Sequence, residues 1–268
     1  MCVAAMKARE YKSIHLLTFF EFETKDEPFP VDNVERLKKH FPKVNFTHCC
    51  FPTNKLVRHF SYHNYFSNLL KFGLLNMTTP AFSSLSWHVR TLVYCLENNI
   101  NKCYDGMTNE MVQLPGHMST VLEKFRAMYR DFNITYENPV RDWAVPKDQE
   151  FLDRIIVDQH GFLFPSEEKD KVTTTGQYLY EQGIFPHPNV KGSDFDKQMQ
   201  HDCYQFVLYN ILTYWYYLNF MSYEAFSRKV AIFVESKIDN IKEVIKKDKK
   251  EFALANPLFE KEVIIEKG

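Results

Sequence analysis

Metal and acid–base chemistry need histidines and carboxylates in close sets, so these side chains come first. His59 and His63 stand four residues apart in "KLVRHFSYHNYF", a spacing that puts both on one face of a helix. No Glu-x-x-His context accompanies them, and both fall on an apolar stripe, where a hydrogen-bonded core histidine is the commoner case. His201-Asp202, with His160 and His187 upstream, has the residue types of a helical metal-dependent hydrolase. Such a site needs several ligands held on successive helices. Asp148, Glu150, Asp153 and Asp158 could hold Mg²⁺. On a helix opening at Pro146, however, early acids are the ordinary complement of the positive helix end. The sequence contains no P-loop, GxGxxG, GxSxG or CxxC motif. No catalytic residue, metal or cofactor is therefore assigned. A metal-dependent hydrolase using His160, His187, His201 and Asp202 stands as the alternative.

The 268 residues are 45% hydrophobic, enough to bury one large core. Glycine is scarce, at 8 residues, which argues against a fold made of many tight β-turns. Net charge is −1 with mixed signs, so the whole chain does not read as a polyanion binder. Nucleic-acid contact is left to the basic run Lys246, Lys247, Lys249 and Lys250, whose position near a helix end is expected anyway. The 24 Phe and 15 Tyr exceed what a minimal core needs and fit interaction surfaces. The six cysteines lack metal or redox spacing, and "MCVAAMKAREYKS" has no apolar run of signal-peptide length. A reduced, cytoplasmic protein is expected, with the nucleus as a second location.

Periodicity predicts helices for residues 1–22, 31–41, 55–75, 78–99, 116–132, about 147–158, 202–220 and 222–252. "PKVNFTHCCFPTN" reads as a Pro-punctuated loop. A long polar loop is expected at about 165–197 and an irregular tail at about 253–268. The short link between residues 55–75 and 78–99 predicts an antiparallel helical hairpin. Together these give one all-α domain over 1–268, built of stacked antiparallel helical hairpins in a right-handed, solenoid-like array.

The longest uncharged stretch, Cys203 to Tyr223, is long enough to cross a bilayer. It holds six tyrosines with Gln205, Asn210 and Asn219, which a span disfavours. Tyr204, Val207, Leu208, Ile211, Leu212, Trp215 and Leu218 fall on one side at helical spacing and are expected in the core. Gln205, Tyr209, Thr213 and Tyr216 fall on the other. Tyr209 and Tyr216 are accordingly the candidate anchors for a protein partner. No membrane association is expected.

Four stretches resemble the Est/SMG family of nonsense-mediated mRNA decay factors and telomerase-associated proteins. "YKSIHLLTFFEFETKDEPFPVDNVERLKKHF" is similar through Tyr11, Ser13, Ile14, Pro28, Phe29, Pro30, Asn33 and Leu37. "YFSNLLKFGLLNMTTPAFSSL" matches through Phe66, Leu69, Leu70, Gly73 and Phe82, and "AVPKDQEFLDRIIV" through Val145, Pro146, Asp148 and Leu152. "SYEAFSRKVAIF", with the helix before it, resembles a late helix of the family. The usual Gly-Phe is replaced by Ile155-Ile156, and the match begins near the end of the family's upstream phosphopeptide-binding module. The resemblance implies a helical-hairpin scaffold acting as a non-catalytic adaptor in mRNA decay, with decay factors of the same family as partners. It does not imply phosphopeptide binding or RNA cleavage.

Overall fold

The computed structural model describes residues 11–21, 31–77, 79–108, 112–143, 174–188, 204–247 and 256–263. Helix dominates, but the fold is not all-α. Strand β1 (Ser13–Phe20), helix α1 (Val31–His40) and strand β2 (Asn45–Pro52) follow one another. The two strands pair in parallel along their whole length, Ser13 opposite Asn45 through Phe20 opposite Pro52. Val263 adds an antiparallel bridge to Cys50 on β2, its N–H donating to the Cys50 carbonyl at 2.9 Å. Helices α2 (Asn54–Tyr62), α3 (Tyr65–Phe72), α4 (Thr79–Glu97), α5 (Ser119–Arg130) and α6 (Thr175–Glu181) come next, with strands β3 (Lys102–Tyr104) and β4 (Thr135–Glu137) flanking α5. β3 and β4 also pair in parallel. Helix α7 (Tyr204–Ile211), a π-helical stretch (Leu212–Tyr217), a single turn α8 (Leu218–Phe220) and the long α9 (Tyr223–Lys247) complete the described chain.

Two parallel strand pairs, each closed through a helix, overturn the expected array of helical hairpins. Residues 13–20 and 45–52 are strands, not helix and loop. The scarcity of glycine argued only against hairpins. A parallel pair crosses over through a helix and needs no tight turn. "NFTHCCFP" is also a short run bounded by Pro42 and Pro52 and rich in aromatic and β-forming residues, which is strand chemistry. The expected helix over 55–75 is broken as well. Asn64, at φ 55°, separates α2 from α3, and Gly73, at φ 61°, ends α3. The new register leaves Phe66 and Leu70 at the surface.

Asparagine does much of the work that glycine does elsewhere. Asn99 and Asn133 adopt the left-handed conformation just past α4 and α5. Behind each, an isoleucine N–H reaches back five residues: Ile100 to the Cys95 carbonyl at 2.8 Å, and Ile134 to the Tyr129 carbonyl at 3.0 Å. This satisfies carbonyls that a helix end leaves open. Both turns lead straight into a strand, so α4–β3 and α5–β4 are built alike, and Cys103 sits opposite Tyr136 across the two strands.

Helix α4 carries the centre of the core. Val89, Leu92 and Val93 are fully buried, against Leu56 and Phe60 of α2, Val121, Leu122 and Phe125 of α5, and Phe226, Val230 and Phe233 of α9. Each such side chain contributes about 1.5–3 kcal/mol on burial. Gly116 lies in a 3₁₀ turn (Pro115–His117) so close to α4 that a Cβ there would meet Ser84 Oγ at 2.6 Å. A smaller cluster of Cys49, Phe51 and Tyr94 joins the β1–β2 sheet to the same helix.

Charged and titratable groups inside this core are held in place by direct partners. Lys237, 3% exposed, donates to the Phe60 carbonyl at 2.7 Å and approaches Asn76 Oδ1 at 3.4 Å, with the Phe82 and Phe233 rings alongside. Burial pulls its ammonium down to about 8. His88 on α4, 6% exposed, stacks on Phe125 at 3.9 Å and lies 3.8 Å from Asp105 Oδ2. Burial lowers it to about 4, against a smaller raising effect of Asp105.

His88 predicts a pH dependence. In the unfolded chain it takes up a proton near pH 6.5, and in the fold only near 4. Its contribution is complete above pH 6.5 and is lost as pH falls to 4, by about 3 kcal/mol. Urea unfolding from pH 7 to pH 4 should show this loss in the native sequence. His88→Gln should lack that component and have a flatter acid limb.

Candidate protein-interaction face

Helical spacing predicts that the segment from α7 to α8 buries its aliphatic side and exposes Tyr209 and Tyr216. The structure reverses this for Leu208, Ile211, Trp215 and Tyr209, while Leu218 is buried and Tyr216 exposed as the spacing predicts. Tyr209, Thr213, Tyr217 and Leu218 are buried. Leu208 (67%), Ile211 (51%), Trp215 (78%), Tyr216 (49%) and Phe220 (79%) are exposed. Trp215, placed in the core by helical periodicity, is among the most exposed large apolar residues described.

The physical reason lies in the chain between β3 and α5. Residues 112–114 there belong to no helix or strand, and their carbonyls need donors other than a ladder. The Tyr209 hydroxyl donates to the Gln113 carbonyl at 2.8 Å, and Tyr223 to the Val112 carbonyl at 2.5 Å. Gln113 Nε2 approaches Asn210 Oδ1 at 3.4 Å. An aliphatic face could exclude water from this stretch but could not satisfy it. Tyrosine does both, having an apolar ring and a polar tip. Burial raises the Tyr209 and Tyr223 hydroxyls far above their ordinary range, so they remain protonated donors.

The π-helical turn completes the inversion. A wider turn shifts every later residue relative to α-helical spacing, and such turns cluster at functional sites. Tyr217 is turned inward, its ring 5.1 Å from that of Phe226 and under Lys229 Nζ at 5.5 Å, with its buried hydroxyl near the Leu75 backbone. This sets the π turn beside the 3₁₀ turn at Gly73–Met77. Met77 at the end of that turn is exposed, as are Phe66 and Leu70 on α3 and Tyr62 on α2.

Of the two anchor candidates, Tyr209 faces the core. Tyr216 lies on the open face, 6.1 Å from the Phe220 ring. The anchors that periodicity missed are Leu208, Ile211, Trp215 and Phe220. The spacing of Tyr209, Thr213 and Tyr217, four apart with polar tips, was the signal that could have found them. His187 is at the surface, whereas His160, His201 and Asp202 lie outside the described residues, as do Asp148, Glu150, Asp153 and Asp158. His59 and His63 stack on one another at 5.0 Å. Among the described residues no three His, Cys, Asp or Glu side chains are grouped to hold a metal. Nor is any described helix long and apolar enough to cross a membrane.

A second polar centre lies around Asp105. Asp105, just past β3, accepts from the Tyr136 hydroxyl, from Asn138 Nδ2 and from the Met107 N–H at 2.9 Å. The Tyr129 hydroxyl donates to the His88 carbonyl at 3.1 Å, and its ring stacks on that of Tyr136 at 5.0 Å. These groups come from α4, β3, α5 and β4, distant in sequence, so no local motif announces them.

Two substitutions separate the faces. Tyr209→Phe removes one buried donor and leaves the Gln113 carbonyl without it, which should cost about 1–3 kcal/mol in urea unfolding. Trp215→Ala should cost less than about 1 kcal/mol, because a side chain 78% exposed leaves no core cavity. A larger loss for Trp215→Ala than for Tyr209→Phe would reverse the assignment.

Compared with known proteins, the chain matches no family model, no curated protein and no solved structure, so the Est/SMG resemblance rests on its own four stretches.

Proposed function

We propose that the chain is a non-catalytic adaptor that docks a protein partner on the apolar face of Leu208, Ile211, Trp215, Tyr216 and Phe220. The supporting observation is the exposure of these five residues within 13 positions of one helical segment. A clustered apolar surface of this kind, and aromatic anchors in particular, is characteristic of protein interfaces. The tyrosines behind it are fixed by hydrogen bonds to Gln113 and Val112, so the anchors are presented on a preorganised support. The resemblance adds a pathway, nonsense-mediated mRNA decay, and a decay factor of that family is the first partner to try. The mixed α/β fold withdraws the helical-hairpin argument for that pathway, so the face itself supports the adaptor reading and the motifs alone support the pathway.

Topology favours one second reading, a small-ligand site at the carboxyl ends of the parallel strands, where such sheets commonly bind ligands. Asp105 and Asn138 stand there. It ranks second because Asp105 already accepts from three donors within the fold.

The double change Trp215→Ser and Phe220→Ser tests the adaptor reading. It should weaken capture of the partner by about 2–4 kcal/mol, the hot-spot range, while circular dichroism and the urea midpoint stay near those of the native chain. Retrieval of the same partners at the same level would remove this face from the interface. A thermal-shift panel of small polar ligands tests the second reading. A ligand at about 100 times its Kd should add about 2.7 kcal/mol to stability, and Asp105→Asn should abolish that gain.

A further inference from the structure

The apolar face around Trp215 has a border charged with one sign. Over residues 54–77 and 204–229 the chain carries Lys55, Arg58, Lys71, Arg228 and Lys229 against a single carboxylate, Glu224. Glu224 is taken by Arg228 at 3.5 Å. Two of the lysines stand over aromatic rings that support the face. Lys229 Nζ lies 5.5 Å from the centre of the Tyr217 ring. That ring is 5.1 Å from Tyr216, which is 6.1 Å from Phe220. Lys71 Nζ on α3 lies 5.0 Å from the centre of the Phe72 ring. Tyr217 packs on Phe226 and Phe72 on Phe233, each at 5.1 Å. Phe226 and Phe233 are seven residues apart on α9, so the two rings that carry the lysines are spaced along it by about 10 Å, two turns of a helix. Among the described residues neither lysine has a carboxylate partner.

We propose that the partner docked on this face is an acidic amphipathic helix, with apolar residues along one side and Asp or Glu bordering them. This rests on the adaptor reading and names the chemistry of the partner. Leu208, Ile211, Trp215 and Phe220 are exposed in succession over 13 positions. That ridge is about 18 Å long, so a partner helix of roughly three to four turns covers it. Carboxylates two turns apart on such a helix match the spacing of the rings under Lys71 and Lys229. The apolar anchors supply affinity, and the charges supply approach and orientation. Two other anionic occupants fit less well. Single-stranded nucleic acid binds aromatic surfaces by base stacking, and Leu208 and Ile211 have no ring to stack. An acidic lipid surface is held by clusters of about four to eight basic residues, and two lysines fall short of that.

The test is a random peptide library displayed on phage and selected on the full chain, with counter-selection on the Trp215→Ser, Phe220→Ser double variant. The expected peptides are net negative, carry apolar residues at helical spacing and gain helix on binding by circular dichroism. Raising sodium chloride from about 0.05 to about 0.5 M should weaken them about tenfold, and so should the change Lys71→Glu with Lys229→Glu. Should the lysine variant fail to fold, the salt titration of the native chain decides alone. Face-dependent peptides that are neutral or basic overturn the acidic partner and leave the adaptor reading in place. Acidic peptides whose binding ignores salt overturn it in the same way. The absence of any face-dependent peptide removes both. Tighter face-dependent binding to phosphatidylserine vesicles or to a poly-uridine oligonucleotide than to any selected peptide gives the surface to lipid or RNA and overturns the proposal.

Discussion

Four backbone carbonyls between β3 and α5, those of Thr108, Val112, Gln113 and His117, take their donors from side chains distant in sequence, and much of the fold is arranged to supply them. Arg141 donates to the carbonyls of Thr108 and His117 at 2.6 Å each, and to Ser119 Oγ at 3.1 Å. Tyr209 and Tyr223 supply the donors for Gln113 and Val112. These side chains come from beyond β4, from α7 and from the start of α9, so a single irregular stretch holds three distant parts of the chain in register. Leaving such a carbonyl buried without its donor costs about 1–3 kcal/mol, comparable to burying a core side chain. The exposed face around Trp215 follows from this constraint. Once Tyr209 and Tyr217 are needed inside, Leu208, Ile211 and Trp215 of the same segment are left outside.

How far the sequence could be read depended on whether the stabilising contacts were local. Helices α4, α5 and α9 were legible because apolar residues at helical spacing meet a core from one side, as Val89, Leu92, Val121, Phe125 and Phe233 do. Their ends were partly legible too, since asparagine tolerates the left-handed turn that closes α4 and α5. β1 and β2 were not legible as a pair. Their hydrogen bonds run to a partner more than thirty residues away, and period-2 patterning fades when both faces of a strand are partly covered. The Cys203–Tyr223 segment was legible as a helix but not in its orientation, which is set by the carbonyls of Val112 and Gln113, remote in sequence. The network of His88, Asp105 and Tyr136 was invisible for the same reason.

Buried ionisable groups mark where this core gives up part of its apolar character. Lys237 ties α9 to the end of α2 through the Phe60 carbonyl, and among the described residues no carboxylate pairs with it. Arg90 lies over the Phe51 ring at 3.9 Å and approaches Glu97 Oε2 at 3.3 Å, linking α4 to β2. Charges in such places cost desolvation and are strongly directional. They fix how α4, α9 and the β1–β2 sheet sit on one another more tightly than apolar packing could, because a hydrogen bond tolerates less sliding than two hydrocarbon surfaces.

Val263 bonds to Cys50, and Glu260 accepts the Lys55 N–H at 3.0 Å. The residues that finish the N-terminal sheet are thus translated more than two hundred positions after it. A ribosome emits about 5–20 residues per second, so β2 spends at least ten seconds or so with one flank uncovered. During that interval its free peptide groups are open to any passing strand. Loop closure over so long a span is slow, and contacts of this range govern folding rate more than final stability. In the cell, the vulnerable period of this chain is its own synthesis.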